Sequence, residues 1–378
     1  MATQNLTSFT YFVHVVIFVL TLVVNSPLRA WAEPGPIPKA PNNSISAIFV
    51  FGDSTSDPGN NNYIRTPFKS NFAPYGRDFP NHVATGRFSN GLLSTDYIAR
   101  YVGVKELIPP YLNASLSVEE LMSGVSFASA GSGYDPLTPQ LSGVIAMSRQ
   151  LEYFKEYRSR IEGIIGVEKT NVLINKSVFI VSAGTNDFVV NYYTMPIRRR
   201  MYTLPQYQQF LVQNVHDFIK SLWDQGARKI AVAGVPPMGC LPVVITMKAN
   251  SSISNRSCVE SLSVVARDYN ELLQTQLISL QLDLADRATK IVYIDIYSVL
   301  HDIIQGRHDH STYNFEDISS GCCGTGYLEA AYLCNAVVSS VCSDASKYVF
   351  WDSIHPTEMT YYLLFMDVMP VINFIIKD

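Results

Sequence analysis

The chain has 378 residues, of which 47% are hydrophobic and 16% charged, and it carries a formal net charge of −4. That length and apolar content suffice for a sizeable core in one large domain. The small charge, spread without long runs, speaks against a nucleic-acid partner and against a polybasic membrane contact.

In chain order, the first feature is an apolar run over residues 11–24 followed by small and polar residues, which reads as a secretory signal although no Lys or Arg precedes it. The run is shorter than the roughly 20 residues that span a bilayer. Ala30-Trp31-Ala32 fits the small-x-small cleavage pattern, so residues 1–32 are expected to be removed, leaving residues 33–378 as a single domain with no membrane anchor.

Short apolar, β-branched runs then recur at residues 47–51, 124–128, 178–182, 229–234 and 290–294. Between them, residues 92–101, 148–165, 207–223 and 259–284 carry apolar residues at helical spacing, and residues 356–376 form a last helix opening on a proline. The aromatic and Met stripe of that helix reads as core. Such alternation predicts an α/β fold, a doubly wound sandwich whose central five-stranded parallel sheet has helices on both faces. Long loops are expected at residues 55–90 and 305–350. Arg198-Arg199-Arg200 is the one basic triplet, and its neighbours suggest a solvated loop or helix start.

Five candidate glycosylation asparagines lie beyond the signal, at Asn43, Asn113, Asn175, Asn250 and Asn255. All six cysteines fall between Cys240 and Cys342. Adjacent Cys322 and Cys323 are poorly placed to bridge each other, so each is expected to reach Cys334 or Cys342, with a separate Cys240–Cys258 loop. Both features agree with an oxidising secretory route. His301, His308 and His310 with Asp302 and Asp309 lack an established ligand spacing and read as surface residues, so no metal is expected.

In an open parallel sheet, ligands bind beyond the carboxyl ends of the strands. Three turns bearing polar residues follow expected strands: Gly52-Asp53-Ser54, Gly131-Ser132-Gly133 and Gly184-Thr185-Asn186-Asp187. A fourth motif, Asp352-Ser353-Ile354-His355-Pro356, precedes the last helix. Ser54, His355 and Asp352 are the residue types of a nucleophile, its base and the acid that orients the base. The N–H groups of Ser54 and Gly131 and the side-chain amide of Asn186 could stabilise a tetrahedral oxyanion, each such donor being worth about 10²- to 10³-fold in rate. Asp187 reads as a turn or cap organiser. There is no G-x-S-x-G elbow, Walker loop or dinucleotide fingerprint.

These blocks resemble the plant branch of the GDSL esterase/lipase family, within the SGNH hydrolases. The first spans Phe51 to Asn62, with Thr55 where leucine is usual. The second spans Gly124 to Gly131, with Ser126 where the family often has Asn and Ala130 where it often has Gly. Gly184-Thr185-Asn186-Asp187 and Asp352-x-x-His355-Pro356 complete the set, and Gly86 to Gly91 and Cys322-Cys323-Gly324 are similar to plant members as well. The resemblance implies a flavodoxin-like fold and a secreted serine esterase/lipase with catalytic Ser54, Asp352 and His355 and an oxyanion hole of Ser54, Gly131 and Asn186. It also implies a lipid or small acyl ester as substrate, and no cofactor; the protein is expected to act as a monomer. The same residues would serve an extracellular acyltransferase or a polysaccharide O-acetylesterase. Without turnover, the fold would be an extracellular binding protein.

Overall fold

The computed structural model describes residues 34–41, 43–248, 256–284, 289–307, 315–337 and 340–377, so the signal segment lies outside the described residues. In chain order the elements are β1 Ile48–Gly52, α1 Ser94–Val102, α2 Val118–Met122, α3 Leu137–Ser142, α4 Met147–Ile165, α5 Val167–Asn175 and β2 Val178–Ser182. A π-helical turn, Asp187–Thr194, leads to α6 Pro196–Met201, α7 Leu204–Asp224, β3 Lys229–Ala233, α8 Pro242–Lys248, α9 Glu260–Asp283 and β4 Lys290–Ile294. The chain ends with α10 Ile296–Ile304, β5 Asp317–Gly321, β6 Tyr348–Phe350 and α11 Glu358–Ile376.

The main sheet has four strands in the order β1-β2-β3-β4, all parallel. Alternation along each strand sorts side chains to two faces. Phe49, Phe51, Phe179 and Val232 face a core that holds Phe154 of α4, Phe218 of α7 and Leu273 of α9. Ile48, Val50, Ile180 and Ala233 face a second core built with α1, α10 and α11. Aromatic packing dominates the first, with Phe51 and Phe127 stacked at 5.0 Å between centroids.

The expected fifth strand is the main correction. Residues 124–128 do lie against β1, parallel to it, through bonds such as Val50 N–H to Val125 O and Phe127 N–H to Val50 O, but they form isolated bridges and no regular strand, Ser126 bridging Val50 on one side and Pro110 on the other. Two local facts explain this. Gly124 has φ +98, and a Cβ there would stand 2.0 Å from Ile48 O, so the backbone passes too close to β1 for regular pleating. On its outer edge, Ser126 pairs with residues 109–111 through Ser126 N–H to Pro109 O and Tyr111 N–H to Ser126 O, both at 2.9 Å, and the pairing stops there because the next carbonyl, Ala128 O, accepts from the Asn60 amide at 2.8 Å. Counting this segment, the spatial order is that of a flavodoxin-like sheet, in which the winding reverses between β1 and its neighbour.

The expected loop at 305–350 holds more structure than its composition suggested. β5 and β6 pair in a small parallel sheet, and Cys322–Cys342 and Cys323–Cys334 are bridged, as are Cys240 and Cys258. The arginine triplet opens a helix, and Arg198 is not solvated: its guanidinium forks onto the buried Asp135 carboxylate at 2.6 and 2.7 Å. α11 has the length of a bilayer span and a mean hydropathy of 1.6, yet it is core: Met359, Tyr361, Leu363, Phe365 and Ile372 are all buried.

Candidate active site

β1 ends at Gly52, where φ is +139 and a Cβ would sit 1.9 Å from Ser182 O, so only glycine lets the chain turn away this close to β2. The Gln150 side chain, reaching across from α4, holds the turn from below: Gly52 N–H donates to its Oε1, and its Nε2 donates to Gly52 O, both at 2.8 Å. Asp53 N–H donates to Ser182 O and Ser56 N–H to Asp53 O, closing a tight turn that presents Ser54 beyond the sheet edge.

At that edge, Ser54 Oγ lies 2.8 Å from His355 Nε2. His355 Nδ1 lies 2.7 and 2.9 Å from the two carboxylate oxygens of Asp352. Asp352 is fully buried, and three further donors hold its charge: Ile354 N–H at 2.8 Å, His355 N–H at 2.7 Å and the Tyr75 hydroxyl at 2.7 Å. The loop is braced from behind, because Cys322 N–H donates to Phe350 O and Cys323 N–H to Trp351 O, which ties both disulfides to the residues just before Asp352. Phe88 packs on the imidazole at 4.7 Å between centroids. The carboxylate thus orients one ring nitrogen and leaves the other facing the serine, an arrangement suited to removing the hydroxyl proton during attack.

Gly131 adopts φ +86. Its neighbours are tied down, Ala130 N–H to Asp57 Oδ2 at 3.0 Å and Ser132 N–H to Ser129 O, while no acceptor among the described residues takes the N–H of Gly131 or of Ser54. Asn186 donates one amide hydrogen to Ser132 O at 2.9 Å, which fixes the side chain and leaves its second hydrogen available. Asp187 organises the turn, as expected, by accepting from Tyr134 N–H, Asp135 N–H and Thr138 Oγ. Burial pushes its carboxyl up to about 7 against those bonds. Asp53 and Asp57 are each pushed up to about 6, again by burial first.

Tyr75, Asp57 and Gln150 were not assigned roles from sequence. Asp57 sits inside the first block and could have been singled out there. Tyr75 and Gln150 belong to no motif, and only the fold brings them to the site. His301 lies beside Arg307 and Asp302, away from Ser54, while His308, Asp309 and His310 lie outside the described residues.

A reversed-winding parallel sheet with a serine, a histidine and an aspartate gathered past the end of β1 defines the SGNH class of α/β hydrolases. Sequence comparison narrows the class. The chain matches the family described as GDSL-like Lipase/Acylhydrolase over residues 48–368. It is 54% identical to the GDSL esterase/lipase At5g45960 of Arabidopsis thaliana over 91% of both chains. To the GDSL esterase/lipase At1g06990 of the same plant it is 40% identical, over 94% of this chain and 97% of that one. The protein belongs to the GDSL esterase/lipase family and is a carboxylic ester hydrolase. Among solved structures it is similar to a catalytic mutant of Axe2, an acetylxylan esterase from Geobacillus stearothermophilus, at 10% identity and a TM-score of 0.39 over 88% of this chain and 95% of that one, a likeness too distant to bear on substrate.

Proposed function

We propose that the protein is a secreted serine esterase that hydrolyses carboxylic esters of lipids or small acyl groups through an acyl-enzyme on Ser54. The observation that carries the reading is the unbroken chain of short contacts from Ser54 Oγ through His355 to Asp352. Ser54 Oγ attacks the acyl carbon while His355 Nε2 takes its proton. Asp352 steadies the imidazolium, and the oxyanion is received by the N–H groups of Ser54 and Gly131 and the free amide hydrogen of Asn186. Collapse breaks the bond to the leaving alkoxide, to which His355 returns the proton. Water then adds to the acyl-enzyme with His355 again as base, releasing the carboxylic acid and regenerating Ser54.

Secretion is supported by the apolar leader, by three disulfides that an oxidising compartment would preserve, and by sequons. The sequon Asn42-Asn43-Ser44 has Asn42 and not Asn43 as its acceptor; Asn175 is exposed and Asn113 partly exposed, whereas Asn42, Asn250 and Asn255 lie outside the described residues. A fluorophosphonate probe on the purified protein tests the mechanism. Wild type is expected to label and Ser54→Ala to be silent; labelling that persists in Ser54→Ala would overturn the assignment.

A further inference from the structure

Beside Ser54 the sheet and its covering helices do not close on each other. They leave a pocket enclosing about 1020 Å³ of non-atom space, its mouth included, with Ser54, Thr55 and Asn186 among its walls. Away from these residues the lining turns apolar. Ile180, Ala233 and Ile294 form the floor from β2, β3 and β4, and Tyr361, Leu364 and Val368 form the roof from α11. The roof residues are spaced three and four apart, so they share one face of that helix.

Two features give the pocket a direction. α11 begins three residues after His355 and packs on β3 and β4, so Tyr361, Leu364 and Val368 lie progressively farther from the histidine, the last about 10 Å beyond the first at 1.5 Å per residue. Ser54 follows β1, and Ile294 lies on β4, three strand spacings away, or about 14 Å. Ala233 is in register with Ile294 on β4 and level with Ser182 on β2, so two small side chains keep the floor open on the way from Ser54 to Ile294. At the roof, the Tyr361 hydroxyl is buried and has no hydrogen-bond partner among the described residues, so a polar group remains for the ester end of a bound molecule.

We propose that this pocket takes the acyl chain of the substrate, running from Ser54 across β2 and β3 to Ile294 beneath α11, and that it selects medium-length acyl groups. An extended chain advances about 1.2 Å per bond, by the same geometry that lets a residue of three bonds span about 3.6 Å, so 14 Å holds on the order of ten carbons. An acetyl group would leave the passage empty, and a much longer chain would run past Ile294 and gain no further contact within it. The inference rests on the esterase reading above and adds the substrate class to it.

The test is a series of p-nitrophenyl esters from acetate to palmitate, each kept below its micelle concentration, against wild type and Ala233→Leu. In wild type, kcat/KM is expected to rise about fourfold per methylene, the factor that about 0.8 kcal/mol per buried methylene gives, up to about ten carbons, and then to level or fall. Ala233→Leu, which narrows the passage midway, is expected to lose at least tenfold more kcat/KM on decanoate than on acetate. Val368→Phe fills the deep end instead and is expected to shorten the optimum by a few carbons, should Ala233→Leu not fold. A flat or falling wild-type profile from acetate to decanoate would overturn the pocket assignment, as would an Ala233→Leu variant that loses acetate and decanoate equally. Wild type that neither cleaves acetate nor takes the fluorophosphonate label fails the esterase reading itself, a distinguishable result.

Discussion

Replacing Asp57 with asparagine changes one charge and turns one acceptor into a donor, and the structure says where that donor must go. The Asp57 carboxylate accepts from Gly59 N–H at 2.7 Å and Asn60 N–H at 2.6 Å through Oδ1, and from Ala130 N–H at 3.0 Å through Oδ2. An amide can keep the first pair only by setting its NH₂ against Ala130 N–H. One buried donor then loses its acceptor, at about 1–3 kcal/mol, partly offset because a charge is no longer held in a site that burial opposes. The thermal effect is therefore modest. The catalytic effect is larger, because the next N–H along the chain is that of Gly131, proposed above as an oxyanion donor, and losing such a donor outright costs about 10²- to 10³-fold in kcat. Asp57→Asn, which displaces that donor without removing it, is expected to lower kcat on p-nitrophenyl acetate by about 10- to 100-fold, with KM nearly unchanged. Steady-state kinetics and thermal melting on the same samples check it. A folded variant with kcat within about twofold of wild type would refute the link from Asp57 through Ala130 to the oxyanion site.

Stability should respond to pH through the buried carboxyls. Burial raises the carboxyls of Asp53 and Asp57 to about 6 and those of Asp187 and Glu358 to about 7. Between those values and the ordinary carboxylate range the fold holds protons that the unfolded chain has released, so stability rises as pH falls from 7 towards 4. Melting temperature should be several degrees higher at pH 5 than at pH 8, and a fall over that range would contradict the burial argument. Tyr75→Phe removes a donor from Asp352, an interaction worth about 1.5–3 kcal/mol, and kcat should drop about tenfold at unchanged KM; a rise in KM with kcat intact would instead assign Tyr75 to substrate binding. Cys323→Ser with Cys334→Ser opens the bridge beside Trp351 and Asp352, and should cost about 2–4 kcal/mol by denaturant unfolding together with a loss of kcat. An unchanged kcat would show that the loop holds Asp352 without the bridge.

Much of the site was legible in the chain because it is local. Ser54, Asn186 and the Asp352–His355 pair sit in short turns that follow apolar runs or precede a helix, and a turn's residue types are set by its own backbone. The alternation of runs likewise announced a parallel sheet with helices on both faces, and the apolar last helix as core. The strand count was misjudged because the run at 124–128 has strand composition, whereas its pairing is cut to isolated bridges by the close approach at Gly124 on one side and by the Asn60 amide on Ala128 O on the other.

The sequence by itself therefore determined which chemical groups the protein carries and roughly where each meets the sheet edge. Only the tertiary structure decided how those groups are held. Tyr75 meets Asp352 across 277 positions and Gln150 meets Gly52 across 98. Cys322 chooses Cys342, and Cys323 chooses Cys334. The empty passage under α11 exists because two small residues, Ser182 and Ala233, stand side by side on neighbouring strands ahead of Ile294. Contacts of this kind have no period and no motif, since they arise where separate elements pack, and packing is fixed by the whole fold and not by any segment of it.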